Sequence, residues 1–285
     1  MASSSFWLSY LSGWSSGGRE TLYEAHWGLT RSPFQNVPDP DFFFPSGQHR
    51  EGLARLLYAV RYGKGAAMLT GAVGCGKTTL ARAFILHLNA ARYDVGLVTN
   101  PAIPRAEFLA EIGQQFGLPA SGNGKVGLLH RFNERLAENR SKDRETVLIV
   151  DEGQAILERE VFEELRLLLN FQLNDRFLLT LVLMGQPELA EMVGAVEQFA
   201  QRIAIRFHLK HLDEKEARQY IAFRLQRAGA EHPIFTAEAL DLVWGRTAGV
   251  PRVINTLCDL CLLEGFASKA SVVDGRIVRR ALATL

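Results

Sequence analysis

A glycine-rich segment with one lysine and two threonines carries the strongest chemical signal in this chain. Residues 71–79 read GAVGCGKTT and match the phosphate-binding pattern GxxxxGK[ST] without a mismatch. Glycines allow backbone conformations in which successive N–H groups point at phosphate oxygens, and a following helix adds its positive dipole end. Lys77 would reach the β- and γ-phosphates, and the Thr78 hydroxyl would bind Mg²⁺. The predicted nucleotide-binding residues of this segment are Gly71, Ala72, Val73, Gly74, Cys75, Gly76, Lys77, Thr78 and Thr79.

A pair of adjacent acids forms the second chemical signal. Asp151 and Glu152 end the apolar run 146–152, which is typical of a central parallel strand. The carboxyl ends of such strands form the ligand-binding edge of an open α/β sheet. Asp151 would hold Mg²⁺ through water, and Glu152 would orient or deprotonate the attacking water. With the loop at 71–79, the two acids predict hydrolysis of a nucleoside triphosphate rather than its storage.

Alternating apolar segments predict the elements that position these residues. The predicted strands are 66–71, 94–100, 146–152, 177–185 and 203–209. The predicted helices between them are 48–62, 77–90, 104–117, 125–138, 158–172 and 187–200. This βα alternation predicts an α/β fold, a three-layer core with a parallel five-stranded sheet.

The character of the sequence changes after His211, where no further strand is predicted. Helices are predicted there at about 214–228, 236–246, 251–267 and 273–283. We therefore expect three parts, namely a disordered tail at 1–20, a P-loop domain at 21–212 and a small all-α lid domain at 213–285.

Composition indicates a folded globular protein. Apolar residues make up 47% of the 285 residues, charged residues make up 22%, and the formal net charge is +1. A charge so close to zero demands neither nucleic acid nor an anionic membrane as a partner. No apolar stretch is long enough to span a bilayer, so no transmembrane segment is predicted. The three cysteines do not form a disulfide framework and are compatible with a reducing cytoplasm.

Ordered sequence blocks occur across residues 22–285. The blocks are WGLTRSPF at 27–34, PDPDFF at 38–43, HRE at 49–51, DEGQ at 151–154, LRLLLNF at 165–171, GQPEL at 185–189, QRI at 201–203 and GVPRVIN at 249–255. They resemble AAA+ ATPases, which join a P-loop domain to a helical lid, and the resemblance is strongest to the GspA/ExeA family of secretion ATPases. ATPases associated with MSHA pili and exosortases, and transposition regulators of the TnsC kind, share most of them. The resemblance implies ATP and Mg²⁺ as cofactors.

Three further catalytic residues are implied by the resemblance. Gln186, after the fourth strand, would contact the γ-phosphate or the water as sensor 1, although a helix-initiating turn is an alternative role. Arg252 would contact the γ-phosphate from the lid as sensor 2, the alternative being a surface arginine. Arg202 would face the ATP of the next subunit, with Arg206 as a competitor, in a ring of about six subunits. For adenine recognition the candidates are Phe34, His49 and Arg50, and we select His49.

The biological role is left between three classes, one of which is a nucleotide-dependent scaffold with slow hydrolysis. The principal hypothesis is an oligomeric ATPase that supports assembly of a secretion, pilus or polysaccharide-export machine, with envelope proteins as partners. The alternative is a DNA-associated regulator of transposition, for which basic residues cluster at 131–144 and 276–280 but acids interleave with them. Full secretion proteins resemble an ATPase joined through a membrane helix to a periplasmic part. Neither part is predicted in this sequence, so we expect a stand-alone cytoplasmic ATPase. The alternatives are a fragment of a longer protein and a protein in peripheral contact with the inner membrane.

Overall fold

The computed structural model describes residues 22–118, 124–173 and 176–284, and the predicted tail at 1–20 lies outside them. Contacts divide the described chain into two compact units. The core unit comprises 38–210, and the helical unit comprises 22–37 together with 211–284.

In the core unit, one or two helices separate each strand from the next. Its elements are α1 (Gly47–Arg61), β1 (Ala66–Gly71), α2 (Lys77–Leu86), β2 (Tyr93–Val98), α3 (Arg105–Gln115), α4 (Gly124–Ser141), β3 (Glu145–Val150), α5 (Glu160–Leu168), β4 (Leu179–Gly185), α6 (Glu188–Gly194), α7 (Glu197–Ala200) and β5 (Ile203–Leu209). The five strands form one sheet in the order β2-β3-β4-β1-β5, and every pair is parallel. The carboxyl ends of β1, β4 and β3 therefore lie side by side at one edge, and β5 lies at the side of the sheet.

Side chains of the buried strands pack on both faces of the sheet, as a period of two requires. On β1, Ala66 and Met68 belong to one apolar cluster, whereas Ala67 and Leu69 belong to another. The first cluster contains the aromatic core of α3, α4, α5 and α7. The second contains apolar residues of α1 and α2. Helices thus cover both faces, which confirms the predicted three-layer α/β core with its parallel five-stranded sheet.

One predicted helix of the core unit is wrong in its extent. The single helix expected at 187–200 is two helices, α6 and α7. Val196 separates them in a non-helical conformation with φ −113° and ψ 80°, and it is buried in the core. Burial of this side chain favours the break, which the apolar periodicity of the sequence does not show.

The helical unit contains α8 (Glu214–Arg227), α9 (Ala237–Thr247), α10 (Pro251–Ala267) and α11 (Gly275–Leu282). Residues 22–37, which the sequence analysis assigned to the P-loop domain, belong to this unit instead. The Trp27 indole donates to the Leu262 carbonyl at 3.0 Å, and the Arg224 guanidinium donates to the Pro33 carbonyl at 2.5 Å. Partners so distant in sequence leave no local signal, which explains the different boundary.

A buried polar network holds that N-terminal segment in place. Asn255 on α10 accepts from the Tyr220 hydroxyl at 2.8 Å and donates to the Asn36 side chain at 3.0 Å. Arg224 donates to the same Tyr220 hydroxyl at 2.7 Å. Because buried polar groups need partners, these side chains fix one packing arrangement of α8, α10 and the segment.

Candidate functional site

The loop between β1 and α2 has the geometry of a phosphate cradle. Gly74 and Gly76 adopt positive φ values of 76° and 101°, which other residues rarely adopt. A Cβ on Gly71 would lie 2.7 Å from the Leu209 carbonyl oxygen, so this position also requires glycine. Gly76 is the N-cap of α2, and the loop therefore ends at the positive dipole end of a ten-residue helix.

Lys77 is buried within this loop. Its Nζ donates to the carbonyl oxygens of Gly71 at 2.8 Å and Ala72 at 3.0 Å, and the residue is 6% exposed. The hydrogen bonds to these two carbonyls offset part of the free-energy cost of removing the ammonium group from water. The arrangement keeps one positive charge beside the loop N–H groups, where an anionic ligand would be held.

The predicted Mg²⁺ ligands are in direct contact. The Thr78 hydroxyl donates to Asp151 Oδ2 at 2.9 Å, although 73 positions separate the two residues in sequence. Asp151 Oδ1 accepts from the Glu152 backbone N–H at 2.9 Å. Burial raises the pKa of the Asp151 carboxyl, and the hydrogen bonds from the Glu152 backbone and from Thr78 act in the opposite direction.

A hydroxyl and a carboxylate suit Mg²⁺, which prefers oxygen ligands and retains several waters. No cluster of three or more His, Cys, Asp or Glu side chains that could hold a metal ion is found among the described residues. A Mg²⁺ ion at Thr78 and Asp151 would therefore complete its coordination with water and phosphate oxygens. The residues present fit such an ion.

Glu152 follows Asp151 in a left-handed backbone conformation, with φ 53° and ψ 36°. Its Oε2 accepts from Gln154 Nε2 at 2.5 Å. A non-glycine residue in this region carries strain, and such strain is concentrated at functional sites. The predicted base is thus the second residue after β3, and its carboxylate accepts a hydrogen bond from a neighbouring amide.

Gln186 lies directly after β4, between the ends of β1 and β3, as the sequence analysis expected of a sensor. Its backbone N–H donates to Gln154 Oε1 at 2.8 Å. The side-chain role of Gln186 toward a phosphate stays a prediction.

His49 lies beneath the phosphate loop rather than on an open surface. The imidazole is 6% exposed, and a Cβ on Gly76 would lie 2.8 Å from its Nε2. Nδ1 lies 2.8 Å from the Ser46 hydroxyl, which also caps α1. Burial lowers the pKa of His49 to about 4, and a backbone hydrogen bond with Cys75 acts in the opposite direction. This environment favours support of the loop over the predicted contact with adenine.

Arg202 lies at the amino end of β5, the strand at the side of the sheet. Its Nη2 donates to the Asn170 side chain at 3.2 Å. The β1–β5 register pairs Ala66 with Ile203 and Gly71 with Leu209. At about 3.3 Å per residue, Arg202 is therefore roughly 20 Å along the sheet from the phosphate loop of its own chain.

Arg252 lies in the first turn of α10 and is exposed. Its carbonyl accepts from the Thr256 hydroxyl at 3.1 Å. The turn before it contains Gly249, whose backbone has φ 74°. These contacts describe the local setting of Arg252 within the helical unit, and its sensor role stays a prediction.

Gln154 is the site residue that the sequence analysis missed. It contacts both Glu152 and Gln186, and those two residues had been predicted separately. The available signal was its place in the DEGQ block of the family resemblance. No spacing rule connects an amide at this position with the end of another strand, so only the packing shows these two contacts.

Sequence comparisons now extend these observations. Residues 60–193 match a family model described as an AAA domain. The chain is 38% identical over 260 residues to general secretion pathway protein A of Aeromonas hydrophila, a match that covers 90% of this chain and 47% of that protein. The chain therefore resembles the GspA/ExeA family and matches an AAA domain over residues 60–193. It spans about half the length of this curated relative.

Structural comparisons find a similar fold in three solved proteins. The Aeropyrum pernix ORC2 protein, solved as ADPNP–ADP complexes, has a TM-score of 0.67 at 20% identity, covering 89% of this chain and 71% of its own. Drosophila ORC bound to DNA has a TM-score of 0.68 at 18% identity, and the match covers 95% of this chain and 67% of that one. The Thermotoga maritima RuvB Holliday junction branch migration motor has a TM-score of 0.59 at 19% identity, and the match covers 90% of this chain and 74% of that one. At these identities the likeness shows the fold alone.

Proposed function

We propose that this GspA-like chain binds ATP with Mg²⁺ and hydrolyses it to ADP and phosphate. The observation that carries the proposal is the Thr78–Asp151 hydrogen bond of 2.9 Å, which joins the phosphate loop to the acidic end of β3. A fold built only to bind an anion would need the loop and not the acids. Lys77 and the loop N–H groups would bind the phosphates, and Glu152 would take the proton from the attacking water.

Phosphate release by the purified protein tests this proposal. We expect turnover with Mg²⁺ and none after chelation of Mg²⁺ by EDTA. Lys77→Ala should weaken ATP binding, because it removes a phosphate contact. Lys64→Ala is the matched control, since Lys64 lies over the Tyr58 ring in the same unit, 5.4 Å from its centroid. Equal ATP affinity in wild type and Lys77→Ala would contradict the proposed binding mode.

We propose further that the active form is an oligomer in which Arg202 serves the nucleotide of a neighbouring subunit. The support is its position at the end of β5 remote from its own phosphate loop. An arginine supplied from outside the nucleotide-binding chain stabilises transition-state charge and can raise turnover by about 10³–10⁵-fold. A ring of about six subunits is proposed from the family resemblance.

The role of Arg252 as sensor 2 rests on the family resemblance. A residue that contacts the γ-phosphate distinguishes ATP from ADP. Arg252→Ala should therefore lower turnover and ATP affinity while ADP affinity is retained. Equal losses of ADP and ATP affinity would show a general defect of the helical unit instead.

For the biological role we propose assembly of a secretion, pilus or polysaccharide-export machine in the bacterial envelope. The support is the match to general secretion pathway protein A, whose name assigns that relative to secretion. No helix in the described part of the chain combines the length and the apolar character needed to cross a membrane. Co-purification of envelope proteins with the tagged chain from its native cells would test this role.

DNA-associated regulation is the second candidate, and the ion pairs weigh against it. In the basic cluster 131–144, Arg135 pairs with Asp94 and Lys142 pairs with Glu138. In the cluster 276–280, Arg279 pairs with Glu238. Arginines and lysines neutralised in this way contribute less to phosphate binding. Strong, salt-dependent stimulation of ATP turnover by duplex DNA would favour this candidate over envelope assembly.

A further inference from the structure

The side chain of Gln154 bridges two elements that contribute separately to the proposed site. Its orientation follows from hydrogen-bonding chemistry. The Gln186 backbone N–H can only donate, so its partner at 2.8 Å must be Gln154 Oε1. The amide NH₂ of Gln154 then faces the Glu152 carboxylate, with Nε2 and Oε2 2.5 Å apart. Each end of the amide meets a partner of the opposite hydrogen-bonding character.

Close packing fixes the bridge in place. A Cβ on Gly185, the last residue of β4, would lie 2.6 Å from Gln154 Oε1. A Cβ on Gly153 would lie 3.1 Å from Leu189 Cδ1 on α6. The backbone of Gly153–Ala155 forms a short 3₁₀ turn, so Gln154 starts from a defined position. Glycine at 185 therefore leaves room for the Gln154 amide beside the end of β4, and glycine at 153 leaves room for Leu189.

We propose that Gln154 is a positioning residue that holds the Glu152 carboxylate and couples it to the end of β4. The amide occupies Oε2 of Glu152, which leaves Oε1 to accept a proton from water. Because the other end of the amide is bound to the Gln186 backbone, a displacement of Gln186 would be transmitted to the base. This inference deepens the proposed function and rests on Glu152 being the base of an ATPase.

The principal variant is Gln154→Met, which keeps the length and approximate volume of the side chain and removes both hydrogen bonds. Gln115→Met is a matched control. Gln115 also donates to a carboxylate, Glu111, at 2.8 Å and accepts from a backbone N–H, that of Leu97, at 3.4 Å, but it is exposed on α3. We expect Gln154→Met to lower kcat by about 10- to 100-fold, because a misplacement of about 1 Å can cost 10²-fold. ATP affinity should be unchanged, and Gln115→Met should resemble wild type.

A double-mutant cycle separates positioning from a structural defect. In a Glu152→Gln background, Gln154→Met should cause no further loss of kcat, since the group that it positions is already inactive. Independent losses that multiply would overturn the inference, as would an unchanged or increased kcat in Gln154→Met. A parallel loss of ATP affinity would also overturn it, because it would show that the variant disturbs the whole loop.

A second readout does not depend on hydrolysis. The side-chain amide resonances of Gln154, assigned by their loss in Gln154→Met, should shift when Glu152→Ala removes the carboxylate. The amide resonances of Gln115 should not shift. Unshifted Gln154 resonances would overturn the bridge even if the wild type hydrolyses ATP. A shift in a protein without ATP turnover would support the bridge and count against the proposed function alone.

Discussion

The burial of His49 beneath the phosphate loop makes the unfolding free energy depend on pH. Its folded-state pKa of about 4 lies below the 6.5 of a free histidine, because burial disfavours the charged imidazole. The unfolded chain therefore binds more protons between these two values. The contribution of the neutral His49 to the unfolding free energy is therefore fully present above pH 6.5 and is lost as the pH decreases toward 4. The whole interval corresponds to about 3 kcal/mol of unfolding free energy, at about 1.4 kcal/mol per pKa unit.

We expect His49→Gln to reduce this pH dependence, since glutamine does not titrate. Unfolding free energies from urea titrations at pH 7.5, 6, 5 and 4.5 would measure it. The wild type should lose more stability than His49→Gln between pH 6.5 and 4.5. His130→Gln changes an exposed histidine and should retain the wild-type slope. Parallel slopes for wild type and His49→Gln would show that His49 is not held neutral beneath the loop.

A local sequence signature predicts some of the candidate site residues, whereas contacts that depend on packing have no such signature. Thr78 belongs to the loop pattern and Asp151 follows a buried strand, so the sequence alone predicts both as Mg²⁺ ligands, and the structure adds their 2.9 Å contact. The sequence predicts contact between His49 and adenine. It does not show that α1 places this side chain next to Gly76, because that contact depends on packing. Gln154 was not assigned a role, since its partners belong to different elements of the sheet.

At the scale of elements, the turn between α9 and α10 sets the start of the helix that carries Arg252. Gly249 has φ 74°, and a Cβ there would lie 1.9 Å from the Leu212 carbonyl oxygen. The Gly249 carbonyl in turn accepts from the Leu212 N–H at 3.0 Å. The close approach of two backbones therefore requires glycine at 249.

Alanine substitutions of two glycines near this turn should have opposite effects. Gly249→Ala should lower the unfolding free energy by more than about 2 kcal/mol, because it adds both strain and a backbone clash. Gly245→Ala should raise it by up to about 1 kcal/mol, since Gly245 lies within α9 with no atom within 4 Å of a new Cβ. Chemical denaturation of both variants tests the pair. Similar stabilities for the two variants would contradict the described turn.

Element types and order in the core unit followed from apolar periodicity, because each buried strand and helix shows its own pattern. The break at Val196 within 187–200 did not, since it depends on burial of one side chain. The packing of 22–37 was also not predictable. Its partners Arg224 and Asn255 lie far along the chain, as the 191-residue separation of Pro33 and Arg224 shows.

At the scale of the whole molecule, the remote position of Arg202 leads to a prediction about assembly. If its guanidinium serves a neighbouring subunit, specific activity should rise with protein concentration as the oligomer forms. Arg202→Ala should flatten that rise and leave ATP binding intact. Arg206→Ala is the matched control, because Arg206 is an exposed arginine on β5, four residues further along, and it donates to the Ala200 carbonyl at 2.9 Å.

Mixtures of two inactive variants extend this test. Lys77→Ala should bind ATP weakly and Arg202→Ala should lack the trans arginine, so a mixed interface can contain one complete site. We expect the mixture to be more active than either variant alone. Activity that is independent of concentration, with no recovery in the mixture, would show that one chain contains the whole site.

Glu152→Gln tests the central claim most directly, because it keeps the size and polarity of the side chain while it removes the base. Wild type and variant would be incubated with Mg²⁺ and ATP, separated from free nucleotide, and the bound nucleotide identified by chromatography. The variant should retain ATP with turnover reduced by at least about 100-fold, as expected for loss of a general base, whereas the wild type should yield ADP. Equal phosphate release by the two proteins would contradict the assignment of Glu152 as the base.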